Sequence, residues 1–271
     1  MSAFEILCAT MHQKDFSKIQ EMNIHSDVLF ANQADRSEFT ETEFEGHRAR
    51  MITTPTRGVG KNRNIALLNA EGDICLLADD DVVYAEDMEV RILKEFDAHP
   101  DADVIIFHME SSDPARPQPN YKKPYRVRFW NRLPWPTFRI AFRLSSFKKG
   151  NIWFTTLYGG GCVFPSGEDS MWLHTARKAG LRMYVSTETI GKVSYETSSW
   201  FTGYDPRFFY GKGAYHRAVH PYSCWFWRQY VAFRLRKRGA MSRKEKLKWF
   251  DHGAKGYHSL LSYEEYAKVL K

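Results

Sequence analysis

The chain has 271 residues, 43% of them hydrophobic, and a formal charge of +7, enough apolar material for one substantial core. Met1 to Thr10 show neither the basic start nor the long apolar run of a secretory leader, and no stretch of about 18 apolar residues lacks a charge, so secretion and membrane spanning are not expected and a cytoplasmic location is. Cys8, Cys75, Cys162 and Cys224 lie too far apart for a CxxC pair or a zinc cluster, which leaves reduced thiols used for packing.

Residues 4–10 and 27–32 read as buried strands with a short helix at 16–24 between them, so the order is β-α-β from the start. An acidic, turn-like stretch at 35–47 follows, then a short strand over Arg50–Thr53 and a helix over Val59–Asn69 opened by Gly58. Asp73–Ala78 is the most apolar strand, and it ends in three aspartates. Val90, Leu93 and Phe96 give helical spacing over Glu86–Ala98, Pro100 stops that helix, and Val104–Met109 is one more strand. Strands alternating with helices argue for an α/β fold with a mainly parallel sheet covered on both faces.

Beyond residue 110 the prolines at 114, 117, 119, 124, 134 and 136 make a loop-rich segment of the kind that shapes substrate pockets. Regularity returns with a strand near Arg139–Arg143, the run Gly159-Gly160-Gly161, a helix from Glu168 to Ala179 closed by Gly180, and a strand at Leu181–Val185. The glycines would let main chain approach a ligand closely, or simply make a tight turn. Ser166, Glu168 and Asp169 would cap the helix, or place an ionised carboxylate where the helix N-terminus stabilises it and where it can remove a proton from an attacking hydroxyl.

Asp79, Asp80 and Asp81 would sit at the C-terminal edge of the sheet, where open α/β sheets bind ligands. Like charges so close need a positive partner. The alternatives are a solvated acidic turn that caps the next helix, or a site for a hard divalent cation, Mg²⁺ or Mn²⁺, that shares its shell with phosphate oxygens.

Strand, Asp79-x-Asp81, turn and helix resemble the metal-binding DxD of family 2 glycosyltransferases. Arg57-Gly58-Val59-Gly60-Lys61-Asn62-Arg63-Asn64 is similar to the Gly-x-x-x-x-Arg-Asn segment of that family, and Gly159-Gly160-Gly161-Cys162 with Gly167-Glu168-Asp169 to its acceptor-side glycine run and Glu-Asp pair. In order, the likeness spans about residues 4–210. It implies a GT-A fold, the Rossmann-like nucleotide-diphospho-sugar transferase architecture, with a catalytic domain over 1–221 and a helical extension over 222–271. Within the catalytic domain, 1–110 would be the nucleotide-sugar half and 111–221 the acceptor half.

It also implies inverting transfer from a nucleotide diphosphate sugar, a UDP-sugar foremost, to a saccharide or lipid-linked saccharide, in surface polysaccharide synthesis. Asp169 would be the general base, with Glu168 orienting the acceptor or the base. Asp79 and Asp81 would hold the cation; in some relatives a histidine completes that site, which makes His216 a candidate, although His216 and His220 suit packing or a surface as well. Asp79, Asp80, Arg57, Arg63 and Asn64 would meet the donor. Where the family often ends its first strand Pro-Thr-Tyr and follows the second with Asp-x-Ser, this chain has Ala9-Thr10-Met11 and Asn32-Gln33-Ala34-Asp35, so Thr10, Gln33 and Asp35 are carried over as candidates for the base or ribose. Gly159, Gly160, Gly161 and Trp200 would face the acceptor or sugar.

From Tyr222 to Arg238, aromatic and apolar residues interleave with arginine and lysine. That mixture suits a helix at an anionic membrane surface, which would place the protein peripherally on the inner face, and it also suits a helix packed on the catalytic domain with a solvated basic side. No nucleic-acid motif accompanies the charge, and no nucleic acid is expected as partner. Two other readings share the acidic sheet edge: a metal-dependent nucleotidyltransferase and a non-catalytic sugar-nucleotide-binding protein.

Overall fold

In the computed structural model, residues 3–114, 117–118, 120–194 and 203–270 are described. The chain forms two compact units. The first comprises Met1–Arg57, Lys61–Phe154 and Trp172–Thr197, and the second Gly58–Gly60, Thr155–Met171 and Ser198–Lys271.

The first unit is built on one ten-stranded sheet. Its elements begin with β1 (Phe4–Met11), α1 (Lys18–Glu21), β2 (Val28–Gln33), β3 (Glu38–Phe44), β4 (His47–Thr54), α2 (Val59–Asn69), β5 (Ile74–Asp79) and β6 (Val82–Tyr84). They continue with α3 (Met88–Ala98), β7 (Val104–Ser111), β8 (Tyr125–Arg126), β9 (Ile140–Arg143), α4 (Leu144–Lys149), α5 (Glu168–Lys178) and β10 (Met183–Val193); the first residues of α2, Val59 and Gly60, and of α5, Glu168–Met171, are counted in the second unit. The strand order is β3-β4-β2-β1-β5-β9-β7-β10-β6, with β8 pairing on β10. β4, β2, β1, β5, β7 and β10 all run one way, and β9 enters antiparallel between β5 and β7. The mainly parallel sheet expected from the sequence is present.

Alternation explains why these strands read as continuous apolar runs. Ile6, Cys8, Val28, Phe30 and Leu76 point to one face, where Met88, Ile92 and Phe96 of α3 cover them. Leu7, Leu29, Cys75 and Leu77 point to the other, under Ala66 and Leu67 of α2 and Phe147 of α4. With both faces buried, no polar alternation survives. Trp172 anchors α5 by stacking between Phe147 and Phe154, at 4.3 and 4.7 Å between ring centroids.

The stretch read as an acidic turn is instead the hairpin of β3 and β4. Glu45 and Gly46, both at positive φ, make its two-residue turn, the backbone that matches strand twist. β3 is an edge strand with one solvated face, so its Glu and Thr residues hide it from a search for apolar runs.

At the end of the sheet where β1 starts, Arg50 donates to Glu5 at 2.5 Å, to Glu71 at 2.6 Å and to the Asn69 carbonyl at 3.0 Å. The other Glu5 oxygen accepts from the main-chain N–H groups of Glu71 and Gly72. Arg50 and Glu5 are 6% and 3% exposed, so neither charge has water to fall back on.

The second unit holds the glycine-rich loop and the C-terminal helices α6 (Pro206–Val219), α7 (Cys224–Arg234), α8 (Arg243–Ser259) and α9 (Tyr263–Val269). α6 and α8 cross so closely that a Cβ on Gly213 would lie 1.9 Å from the Phe250 carbonyl oxygen, and one on Gly253 would lie 1.9 Å from that of Tyr210. Only glycine fits this crossing. Among the described residues no helix is long and apolar enough to cross a membrane, and the four cysteines form no disulfide.

Removing one partner of a buried ion pair strands the other charge. Arg50→Leu is expected to lower unfolding free energy by about 3–5 kcal/mol, read as a lower urea midpoint. A midpoint equal to that of the parent chain would show that Glu5 finds other compensation.

Candidate active site

The ends of three parallel strands set the acidic corner of the first unit. Register places Ala9 beside Asp79, Thr10 beside Asn32 and Met11 beside Gln33. Asp79 closes β5, and Asp80 and Asp81 turn the chain into β6, where the Asp81 carbonyl accepts from the Ser194 N–H at 2.9 Å.

Each aspartate has its own surroundings. Arg63, buried in the first turns of α2, donates to Asp79 at 2.8 Å and lies 5.5 Å from the centroid of the Phe154 ring. The Thr10 hydroxyl donates to Asp80 at 2.6 Å. Lys18 reaches the Asp80 carbonyl at 3.3 Å while paired with Glu21 at 2.7 Å. Asp81 has one carboxylate oxygen buried with no protein hydrogen-bond partner. Burial, and then the charges of Asp79 and Asp80, push its pKa up to about 7.

The remaining candidates of this unit sit around that corner. Gln33 is buried at the end of β2. Arg57 and Asp35 pair with each other, both largely exposed, and an exposed pair is held by only about 0–1 kcal/mol and opens readily. Both ends of the Asn64 amide are engaged by the main chain of Phe154, at 2.8 and 2.9 Å. Sequence reasoning singled out neither Asn62 nor Lys18. Asn62 is buried, and its amide donates to the carbonyls of Ala31 at 2.7 Å and Thr10 at 3.3 Å, tying the tips of β1 and β2 together. Its place inside the Arg57–Asn64 segment was the available signal.

A divalent cation fits the donor set here: hard carboxylate oxygens, one of them buried and lacking a protein partner. Among the described residues no three His, Cys, Asp or Glu side chains are grouped to hold a metal. Such an ion would take at most two carboxylates and fill its shell with phosphate oxygens and water, as Mg²⁺ commonly does. His216 lies on α6 in the second unit, its ring stacked with Trp227 at 5.0 Å and Phe250 at 5.8 Å.

In the second unit, Gly159 has φ +104°, and a Cβ there would stand 2.4 Å from Val59 Cγ1 and 2.8 Å from the Glu168 carboxyl carbon. The Val59 N–H donates to the Gly160 carbonyl at 3.0 Å, so the glycine run is fastened to the start of α2 by main chain. Glu168 folds back to accept from the Gly167 N–H at 3.0 Å. Asp169 is half-buried in the first turn of α5. Trp200 lies outside the described residues.

Residues 28–183, more than half of the chain, match the family model described as glycosyl transferase family 2. The chain belongs to that family. It is a glycosyltransferase, as the Arg57–Asn64, Asp79–Asp81, Gly159–Gly161 and Glu168–Asp169 segments implied.

Several solved structures share its fold. S. aureus TarS 1–349 in complex with UDP-GlcNAc superposes with a TM-score of 0.59 at 14% identity, covering 96% of this chain and 93% of that one. The same fragment with UDP gives 0.60 at 15% identity, with the same coverage of each chain. Full TarS gives 0.60 at 16%, covering 97% of this chain and 50% of that one. At such identities the likeness shows the GT-A architecture and nothing about individual side chains. No curated protein sequence matches the chain.

Asp81→Ala removes one of three adjacent negative charges. In metal-free buffer the variant is expected to melt at or above the parent temperature. Adding Mn²⁺ with a nucleoside diphosphate should raise the melting temperature of the parent chain and leave that of the variant unmoved, by scanning fluorimetry. Equal cation-dependent shifts in both would count against Asp81 as a ligand.

Proposed function

We propose that this family 2 glycosyltransferase transfers a sugar from a UDP-linked donor to a hydroxyl of a saccharide or lipid-linked saccharide, with inversion at the anomeric carbon, in surface polysaccharide synthesis. The carrying observation is the Asp79–Asp81 corner, where Arg63 and Thr10 each fix one carboxylate while Asp81 keeps a buried oxygen without a protein partner. The TarS complexes with UDP and UDP-GlcNAc support a uridine nucleotide. A lipid-linked acceptor would set the reaction at the cytoplasmic face of a membrane.

Thr10, Gln33 and Asp35 lie at or just beyond the ends of β1 and β2 and are assigned to the base and ribose. Arg57, once released from Asp35, and Arg63 are assigned to the diphosphate, which planar guanidinium groups grip through paired donors. Asn64 acts from behind, since its amide is committed to Phe154 and holds the α2 turn that carries Arg63. Asp79 and Asp81 would hold a Mn²⁺ or Mg²⁺ ion, which would supply positive charge to offset that of a departing diphosphate. Asp80, held by Thr10, faces the sugar.

Asp169 takes the proton of the acceptor hydroxyl as its oxygen bonds to the anomeric carbon. The bond from that carbon to the diphosphate oxygen breaks, and its electron pair leaves with the nucleotide. Attack opposite the leaving group inverts the configuration. Glu168, anchored on the Gly167 N–H, orients the acceptor or the base, and the bare Gly159–Gly161 main chain gives the sugar room.

A positioned general base contributes on the order of 10²–10⁴ in rate. Asp169→Asn is therefore expected to cut sugar transfer by about that factor, with the calorimetric Kd for UDP and Mn²⁺ essentially unchanged. The donor is first chosen by thermal stabilisation across a panel of nucleotide sugars with Mn²⁺. Full turnover by the variant would remove Asp169 from the mechanism.

A further inference from the structure

α7 has two working faces. Val231 and Ala232 are buried, and Val231 with Trp227, Tyr230 and Leu235 packs against Phe209 of α6 and Phe250 of α8. Arg228 fixes the same side through a two-pronged bond to Asp251, at 2.6 and 2.7 Å. Phe226 and Phe233, seven residues apart, fall on the opposite side, Trp225 stands on the flank about 100° round the helix from Phe226, and Tyr222 immediately precedes the helix; Tyr222, Trp225, Phe226 and Phe233 are 96%, 71%, 51% and 60% exposed. Four large exposed rings on one short helix and its approach are not the scatter of single apolar residues that an ordinary surface carries.

The rim is cationic. Residues 222–248 hold nine Lys and Arg against one carboxylate, Glu245. Arg234, Arg236, Lys237 and Arg238 follow Phe233 closely and are exposed, with the Arg236 guanidinium 4.4 Å from the Phe233 centroid. Lys246 does a different job: 1% exposed, it donates to the carbonyls of Leu235 at 2.9 Å and Arg238 at 2.8 Å, closing the C-terminal end of α7. The helix is thus held in place before any partner arrives.

We propose that the outward face of α7 is a preformed docking surface for an anionic lipid bilayer, with Trp225, Phe226 and Phe233 entering the interface and Arg234, Arg236, Lys237 and Arg238 meeting lipid phosphates. Rings on one side and cations at the edge are what an interfacial helix needs. A second copy of the chain is a poor occupant, because the same cationic rim would face itself. Single-stranded nucleic acid is read in grooves that track a backbone, whereas these rings stand on the convex side of one helix about 16 Å long. The inference concerns attachment and does not depend on which donor or acceptor the enzyme uses.

The test is cosedimentation of the full chain, without nucleotide sugar, with vesicles of phosphatidylcholine alone and of phosphatidylcholine mixed with phosphatidylglycerol. The protein is expected to sediment with the mixed vesicles, its tryptophan emission moving to the blue, and to release at high salt. The triple variant Trp225→Ser, Phe226→Ser, Phe233→Ser, all exposed positions, is expected to keep its far-ultraviolet dichroism and lose about tenfold or more in partition coefficient. Changing Arg234, Arg236, Lys237 and Arg238 to Gln should erase the preference for the anionic lipid. Sedimentation of the triple variant equal to that of the parent chain would overturn the proposal. So would absence of vesicle binding, whether or not the rings then prove to hold an oligoribonucleotide or a second copy.

Discussion

Three adjacent carboxylates at the end of a buried strand are the constraint around which the first unit is arranged. The apolar run of β5 fixes where they emerge, and their mutual repulsion has to be offset locally. Arg63 comes from the first turns of α2, Thr10 from the neighbouring strand β1, and Lys18 from the short helix α1 that follows β1. Three separate elements supply the three contacts, so the corner exists only once β1, β5 and α2 have assembled. At Asp81 burial, and then the charges of Asp79 and Asp80, raise the pKa.

Asn62 shows how fold and site share residues. Helix α2 must lie over the sheet to bury Ala66 and Leu67, and the same turn carries Asn62 onto the carbonyls of Ala31 and Thr10 and Arg63 onto Asp79. Asn62 thus bonds the main chain of both strands at once, including that of Thr10, whose hydroxyl donates to Asp80. Backbone satisfaction and carboxylate placement are one arrangement.

The parts legible in the sequence were those with a one-dimensional signature. Apolar runs located β1, β2, β5 and β7, and a family resemblance assembled from four short segments located the acidic corner. Elements answering to long-range geometry were not legible. β3 alternates glutamate and threonine because one of its faces meets water. Arg50 read only as the start of a short strand and Lys246 as part of a basic patch, yet one closes a buried ion pair and the other caps a helix inside the second unit. Asn62 was visible as part of a motif, but its two carbonyl partners lie 52 and 31 residues away in sequence.

The basic tail shows why charge counts need burial before they carry meaning. Nine cations between residues 222 and 248 looked like one patch, and the fold sorts them into different trades. Arg228 is tied to Asp251, Lys246 is enclosed under α7, and Arg243 donates to Gln229. Arg234, Arg236, Lys237 and Arg238 remain on the surface, at the same end of α7 as Phe233. The glycines of α6 and α8 let those helices approach until main chain meets main chain, and that tight pair supports the inner side of α7. A loosely held amphipathic segment would turn its rings inward, because burying them is favourable; here the inner face is already filled by Val231, Ala232 and Trp227, so the rings stay outside and available.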